Sequence, residues 1–179
     1  QNFVYRDIKP ENVLFRNDGY ILLADFGLAK QIDPDIGHTT SFGGTAPYLA
    51  PEMLSGKGHD KTLDWWTLGI LLYEMMYGIP PFFDKNRSLM YKMIHLSDVP
   101  FPESRGRRKI EISAEGKDLI TKLLKKNPRE RLGCKGGVRE ILEHPFFKEL
   151  DLAKLLAFDL PPPYNPEIKG DEFFHPKLM

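Results

Sequence analysis

A chain of 179 residues with 41% hydrophobic and 12% aromatic content can bury one sizeable core, so one compact unit is expected. Twenty-five basic residues balance 25 acidic ones, which leaves no electrostatic case for nucleic acid or an anionic membrane as the main partner. The single cysteine, Cys134, excludes an internal disulfide framework, and the five histidines show no metal-ligand spacing with it; a reducing compartment, cytoplasm or nucleus, is expected.

The chain opens Gln1-Asn2-Phe3, without an initiator Met, a basic leader or an apolar leader, and reads as a piece of something longer. Short β-rich runs then alternate with turn residues: Phe3-Val4-Tyr5, Asn12-Val13-Leu14-Phe15 and Tyr20-Ile21-Leu22-Leu23-Ala24. Asn17-Asp18-Gly19 separates the second run from the third, and a glycine after Asn or Asp supplies the positive φ of a hairpin turn, so a small sheet is expected here. From Asp33 to Thr45 the sequence has neither helical nor strand periodicity, which predicts a long loop of the kind that carries function.

After Pro51 the chain turns helical. Residues 63 to 77 carry apolar side chains on every face, which predicts a helix in the middle of a core, stopped by Gly78 and Pro80-Pro81. The same stretch falls short of the ~20 residues of a membrane span and contains Asp64 and Glu74. Amphipathic spacing predicts surface helices over 87 to 96 and 114 to 126, the latter capped by Ser113 with Glu115 in its first turn, and a short helix over Val138 to Glu143. The last 20 residues, with Pro161-Pro162-Pro163 and Pro166, are expected to run extended over the surface.

Three strings carry chemistry: Tyr5-Arg6-Asp7-Ile8-Lys9-Pro10-Glu11-Asn12, Asp25-Phe26-Gly27 and Ala50-Pro51-Glu52. Any one alone reads as a turn or a surface ion pair, but their order and separation resemble the catalytic loop, metal-binding triplet and activation-loop end of protein kinases. Phosphoryl transfer wants a carboxylate beside the acceptor hydroxyl and cations around the phosphates, and these residues supply both. Tyr5 in place of the commoner His, Asp64-Trp65-Trp66-Thr67-Leu68-Gly69, Pro128-Arg129-Glu130-Arg131-Leu132-Gly133 and His144-Pro145-Phe146-Phe147 are similar to the AGC group of serine/threonine kinases, nearest to its Akt-like and serum/glucocorticoid-regulated branches.

The resemblance implies a mainly α fold. In it, a kinase C-lobe forms a helical bundle around a buried central helix, and a small β-hairpin region carries the catalytic and metal-binding loops. It implies that Asp7 orients the substrate hydroxyl and accepts its proton, Lys9 faces the γ-phosphate of ATP, and Asn12 and Asp25 hold Mg2+. Thr45 bridges Asp7 and Lys9, Leu14 forms part of the adenine floor, Glu52 pairs with Arg131, and Asp64 steadies the catalytic-loop backbone. Ser41 falls where an upstream activating kinase places a phosphate, with Arg6 and Lys30 as its ligands, and without the phosphate Arg6 would be an unneutralised cation. Glu11 and Glu74 match positions that accept substrate arginines, so protein substrates with basic residues before the target are implied; for Glu74 an ion-paired surface carboxylate fits equally well.

The same resemblance divides the chain into a C-lobe over residues 1 to 147 and the start of an AGC-type tail over 148 to 179, with Asp171-Glu172-Phe173-Phe174 as a degenerate nucleotide-tethering motif. Gly43-Gly44-Thr45-Ala46-Pro47-Tyr48 departs from the group's pattern by a moved proline and a missing carboxylate. Arg105-Gly106-Arg107-Arg108-Lys109 reads as a solvated basic insertion, and Cys134 as part of an exposed turn. No Gly-rich phosphate loop, strand lysine or helix-borne glutamate partner of a kinase N-lobe occurs in these residues, so the chain by itself is expected to show little activity. The rival class is a non-catalytic kinase-like scaffold.

Overall fold

The computed structural model describes residues 2–164. The described part is mainly α. Its order is β1 (Phe3–Val4), β2 (Val13–Phe15), β3 (Ile21–Leu23), β4 (Lys30–Gln31), α1 (Pro51–Leu54), α2 (Thr62–Tyr77), α3 (Arg87–Leu96), β5 (Ser104–Arg105), β6 (Arg108–Lys109), α4 (Ala114–Leu123), α5 (Val138–Leu142) and α6 (Leu152–Leu156).

The strands form three separate antiparallel ladders, β1 with β4, β2 with β3 and β5 with β6, instead of the single small sheet expected near the N-terminus. The β2–β3 hairpin closes where the sequence predicts, with Gly19 at φ 81 and Leu14 opposite Leu22. The 105–109 run is no free loop: it forms most of β5 and β6, and Arg105 Nη1 donates to the Tyr77 carbonyl at 2.7 Å. That contact sets a cation on an orphan carbonyl at the C-terminus of α2, where the helix dipole favours it.

α2 spans the predicted stretch and ends at Gly78, which adopts φ 72. It buries Leu63, Trp66, Ile70, Tyr73 and Tyr77, while Met75 is 69% exposed, so the helix does have one open face. Each buried Leu or Ile of this kind is worth ~1.5–3 kcal/mol. Around it pack Met90 and Ile94 of α3, Ile120 of α4, and Leu49, Ala50 and Met53 at α1. Gly69 is the close-approach point between α2 and α4: a Cβ there would lie 2.9 Å from the Leu123 Cβ.

α4 begins as predicted, with Ser113 Oγ accepting from Gly116 N at 3.0 Å, but ends at Leu123 because Leu124 leaves helical geometry. A second small cluster joins Leu119, Leu123 and Ile141. Cys134 is half-buried and its thiol donates to the Arg129 carbonyl at 3.0 Å, in contrast to the exposed turn expected. α6, capped by Asp151 accepting from Lys154 N, has no counterpart in the sequence reading.

Beyond α6 the chain returns to the β2–β3 hairpin. Tyr20 packs on Phe158, Phe15 on Tyr164, and the Tyr20 hydroxyl donates to the Leu160 carbonyl while accepting from Leu160 N. The Asp171-Glu172-Phe173-Phe174 motif lies outside the described residues.

Candidate active site

Asp64, in the first turn of α2, accepts from the backbone N–H groups of Tyr5 and Arg6, each at 2.8 Å. These bonds hold Arg6 in left-handed geometry, φ 75, a costly conformation for a non-glycine residue that persists only when its surroundings fix it. Burial raises the Asp64 pKa, with the two N–H donors and the Arg6 charge pulling the other way. The chain then turns Asp7 inward, and its residue is buried.

Asp7 is the hub of a polar triangle. Its Oδ1 accepts from Thr45 Oγ1 at 2.9 Å, and its Oδ2 lies 2.7 Å from Lys9 Nζ and accepts from Asn12 Nδ2 at 2.9 Å. Lys9 Nζ in turn donates to Thr45 Oγ1 at 3.0 Å, so the threonine bridges the two charged groups. Burial pushes the Asp7 carboxyl up, but the hydrogen bonds from Lys9 and Thr45, the Lys9 charge and Asn12 outweigh it and hold the group below the usual range. Lys9 is raised, first by its bond to Asp7. At neutral pH the pair is carboxylate and ammonium.

Asn12 closes the Pro10–Asn12 turn and donates its amide to both the Asp7 carbonyl and carboxylate, bonds that do not use its side-chain oxygen. Asp25 arrives on the far end of the hairpin. Ala24 N donates to the Asn12 carbonyl at 2.9 Å, the Tyr5 hydroxyl donates to the Ala24 carbonyl, and Tyr5 meets Phe26 edge-on at 5.2 Å between centroids. Asp25 itself has φ 54; its Oδ1 accepts from Gly27 N, and its charge acts on Lys9. Asn12 and Asp25 each carry a hard side-chain oxygen, the donor type that fits magnesium, which takes few protein ligands. Among the described residues no group of three or more His, Cys, Asp or Glu could hold a metal by itself.

The loop from Asp33 to Thr45 is tied to the same stretch. Arg6 Nη1 donates to the Ser41 carbonyl at 2.9 Å and to Ser41 Oγ at 2.7 Å, and Arg6 Nε donates to the Leu28 carbonyl at 2.6 Å. The guanidinium is thus seated on two carbonyls and a hydroxyl, which satisfy its donors without neutralising its charge, and burial lowers its pKa against the pull of Asp64. Lys30, exposed on β4, is joined to Ser41 by no hydrogen bond among the described residues. Further on, Glu52 and Arg131 meet in a buried two-bond pair at 2.8 and 3.0 Å across 79 positions, and Arg131 also donates to the Thr62 carbonyl at 2.9 Å.

Leu14 lies half-exposed on β2, beside other exposed apolar residues of the hairpin. Glu11 is exposed; Glu74 is half-buried and accepts from the hydroxyl of Tyr48, so its partner is a tyrosine and not a cation. Burial, the Glu74 bond and the charges of Glu74 and Glu11 all push the Tyr48 phenol strongly upward. Sequence reasoning missed Tyr48 as Glu74's partner, and it missed His59, which lies buried beside the activation loop. The alternation of a short bridge at Thr39 and His59 is too brief to register as periodicity.

A family model for the protein kinase domain matches residues 1–147. The serine/threonine-protein kinase gad8 of Schizosaccharomyces pombe is 46% identical over 94% of this chain and 28% of its own length, and YPK2/YKR2 of Saccharomyces cerevisiae is 48% identical over 94% of this chain and 24% of its own. The serine/threonine-protein kinase Sgk1 of Fundulus heteroclitus is 44% identical over 94% of this chain and 38% of its own. The chain belongs to the protein kinase family, with AGC serine/threonine kinases as its relatives. It spans between 24% and 38% of the length of these three relatives.

Proposed function

We propose that this chain is the substrate-side lobe of an ATP-dependent serine/threonine protein kinase, with residues 1 to 147 as the lobe, built round α2, and 148 to 179 as the start of its tail. The observation that carries the reading is the triangle of Asp7, Lys9 and Thr45, in which a carboxylate held ionised and an ammonium are locked to one hydroxyl. Asp7 orients the substrate hydroxyl and takes its proton as that oxygen bonds to the γ-phosphorus of ATP and the bond to the β-phosphate oxygen breaks, releasing ADP. Lys9 meets the charge on the migrating group, and Thr45 keeps both in register. Asn12 and Asp25 would hold Mg2+, which would screen the phosphate charges.

Leu14 forms part of the adenine floor, and the exposed apolar edge of Leu14, Phe15, Ile21, Leu22 and Phe26 supports a second lobe packing over it. Glu11 and Glu74 receive arginines ahead of the target residue. Glu52 with Arg131, and Asp64, hold the loops in place. An upstream kinase switches the enzyme on at Ser41, where Arg6 is already in contact with the acceptor oxygen. The enzyme works in the cytoplasm or nucleus, and among the described residues no helix is long and apolar enough to cross a membrane.

Radiolabelled phosphate transfer to an arginine-bearing serine peptide tests this. In the full-length polypeptide that carries this chain, Asp7→Asn is expected to lower kcat about 10²–10⁴-fold. Equal turnover by the two proteins overturns the reading in favour of a scaffold. The isolated chain is expected to stay at the level of its own Asp7→Asn control.

A further inference from the structure

His59 Nε2 is buried and has no hydrogen-bond partner among the described residues, a costly arrangement for a polar atom unless something is to fill it. Its surroundings point to what that is. His59 and Thr39 form an antiparallel bridge in which each backbone N–H donates to the other's carbonyl at 2.9 Å. Residues paired in this way send their side chains out on the same face, about 5 Å apart. Thr39 Oγ1 lies 3.1 Å from Ser41 Oγ, which Arg6 Nη1 holds from the other side at 2.7 Å. The imidazole is thus bridged through Thr39 to a serine hydroxyl that a guanidinium holds, and the charge of that guanidinium acts on it, while Lys30, the other cation expected there, makes no hydrogen bond to Ser41 among the described residues.

We propose that His59 is the second ligand, with Arg6, of a phosphate carried on Ser41, and that it takes up a proton when that phosphate arrives. The inference rests on Ser41 being the modified residue. A phosphoserine brings close to two negative charges and three acceptor oxygens, more than Arg6 alone can satisfy while its Nε is committed to Leu28. His59 can supply the missing donor without breaking an existing bond.

The charges facing His59 set the sense of the switch. Burial first, and then the charge of Arg6, hold its imidazole below the ordinary range; Glu52 and Asp60 pull upward, and His38 pushes with Arg6. With Ser41 unmodified, His59 is therefore neutral at physiological pH. A phosphate neutralises Arg6 and attracts the imidazolium directly, so the midpoint rises. The extra grip on the phosphorylated loop is present below that raised midpoint and is lost as pH climbs through it.

The test needs no substitution at His59, whose burial makes misfolding a confounder. Imidazole resonances of the full chain are titrated by NMR with Ser41 unmodified and with phosphoserine placed at 41 during translation. The His59 midpoint is expected to rise by about one pH unit or more, a tenfold gain in proton affinity, and the phosphorus resonance to shift at the same midpoint. A His59 midpoint that does not move with the phosphate installed overturns the inference and leaves Ser41 as a switch. Unchanged activity of Ser41→Ala in the full-length polypeptide overturns the switch itself, a separate result.

Discussion

Nine of the 16 residues of α2 are buried, whereas not one residue of β2 or β3 is, although both regions are rich in apolar side chains. The helical layer holds together by burial, centred on α2 and on the residues of α3 and α4 packed against it. The strand layer above it is pinned at points: Asp64 reaches 58 and 59 positions back to Arg6 and Tyr5, and Thr45 reaches 38 back to Asp7. The site as proposed must admit substrates and cannot be packed shut, so its order comes from directional polar contacts anchored in the layer that can be.

That division is open to attack from either side. The heaviest blow is Arg131→Met, which strands the Glu52 carboxylate in a buried place and is expected to cost ~3–5 kcal/mol in urea unfolding of the chain. A loss below ~1 kcal/mol would mean that the pair is dispensable to the layer it ties together. Gly69→Ala, which drives a methyl against Leu123 and Leu124, should cost ~1–3 kcal/mol by thermal unfolding. If the layers are distinct, added hydrogen exchange will be confined to α2 and α4 and spare the catalytic loop. Tyr48→Phe removes a single hydroxyl between the layers, at a cost of ~0.5–1.5 kcal/mol. It also frees Glu74, so KM for an arginine-bearing peptide should fall in the full-length polypeptide while kcat holds; unchanged KM would take Glu74 out of substrate binding.

The same contrast explains what could be read in advance. α2 announces itself because burial over four turns leaves a long apolar record, and Ser113 and Gly78 mark helix ends by local rules that need no tertiary knowledge. The residues of the polar triangle were singled out through their motifs, and Thr45 does hydrogen-bond to both Asp7 and Lys9, whereas the bond from Asn12 to Asp7 had no place in the reading. Two-residue strands leave no such record, so the pairing of β1 with β4 was invisible, as was the folding of the basic run into β5 and β6. Arg105 as a helix cap, Tyr48 on Glu74 and His59 opposite Thr39 are each one side chain meeting a distant partner. Periodicity does not encode such meetings.

The tyrosine that grips the Leu160 peptide from both sides has a consequence for biosynthesis. It fastens points 140 positions apart, so the hairpin lacks this strap until the ribosome has added the residues that lie between them. Such distant closures slow folding because the intervening loop entropy must be overcome first. The apolar edge of the nascent hairpin is then exposed for the whole interval, and that is when a chaperone would have most to hold.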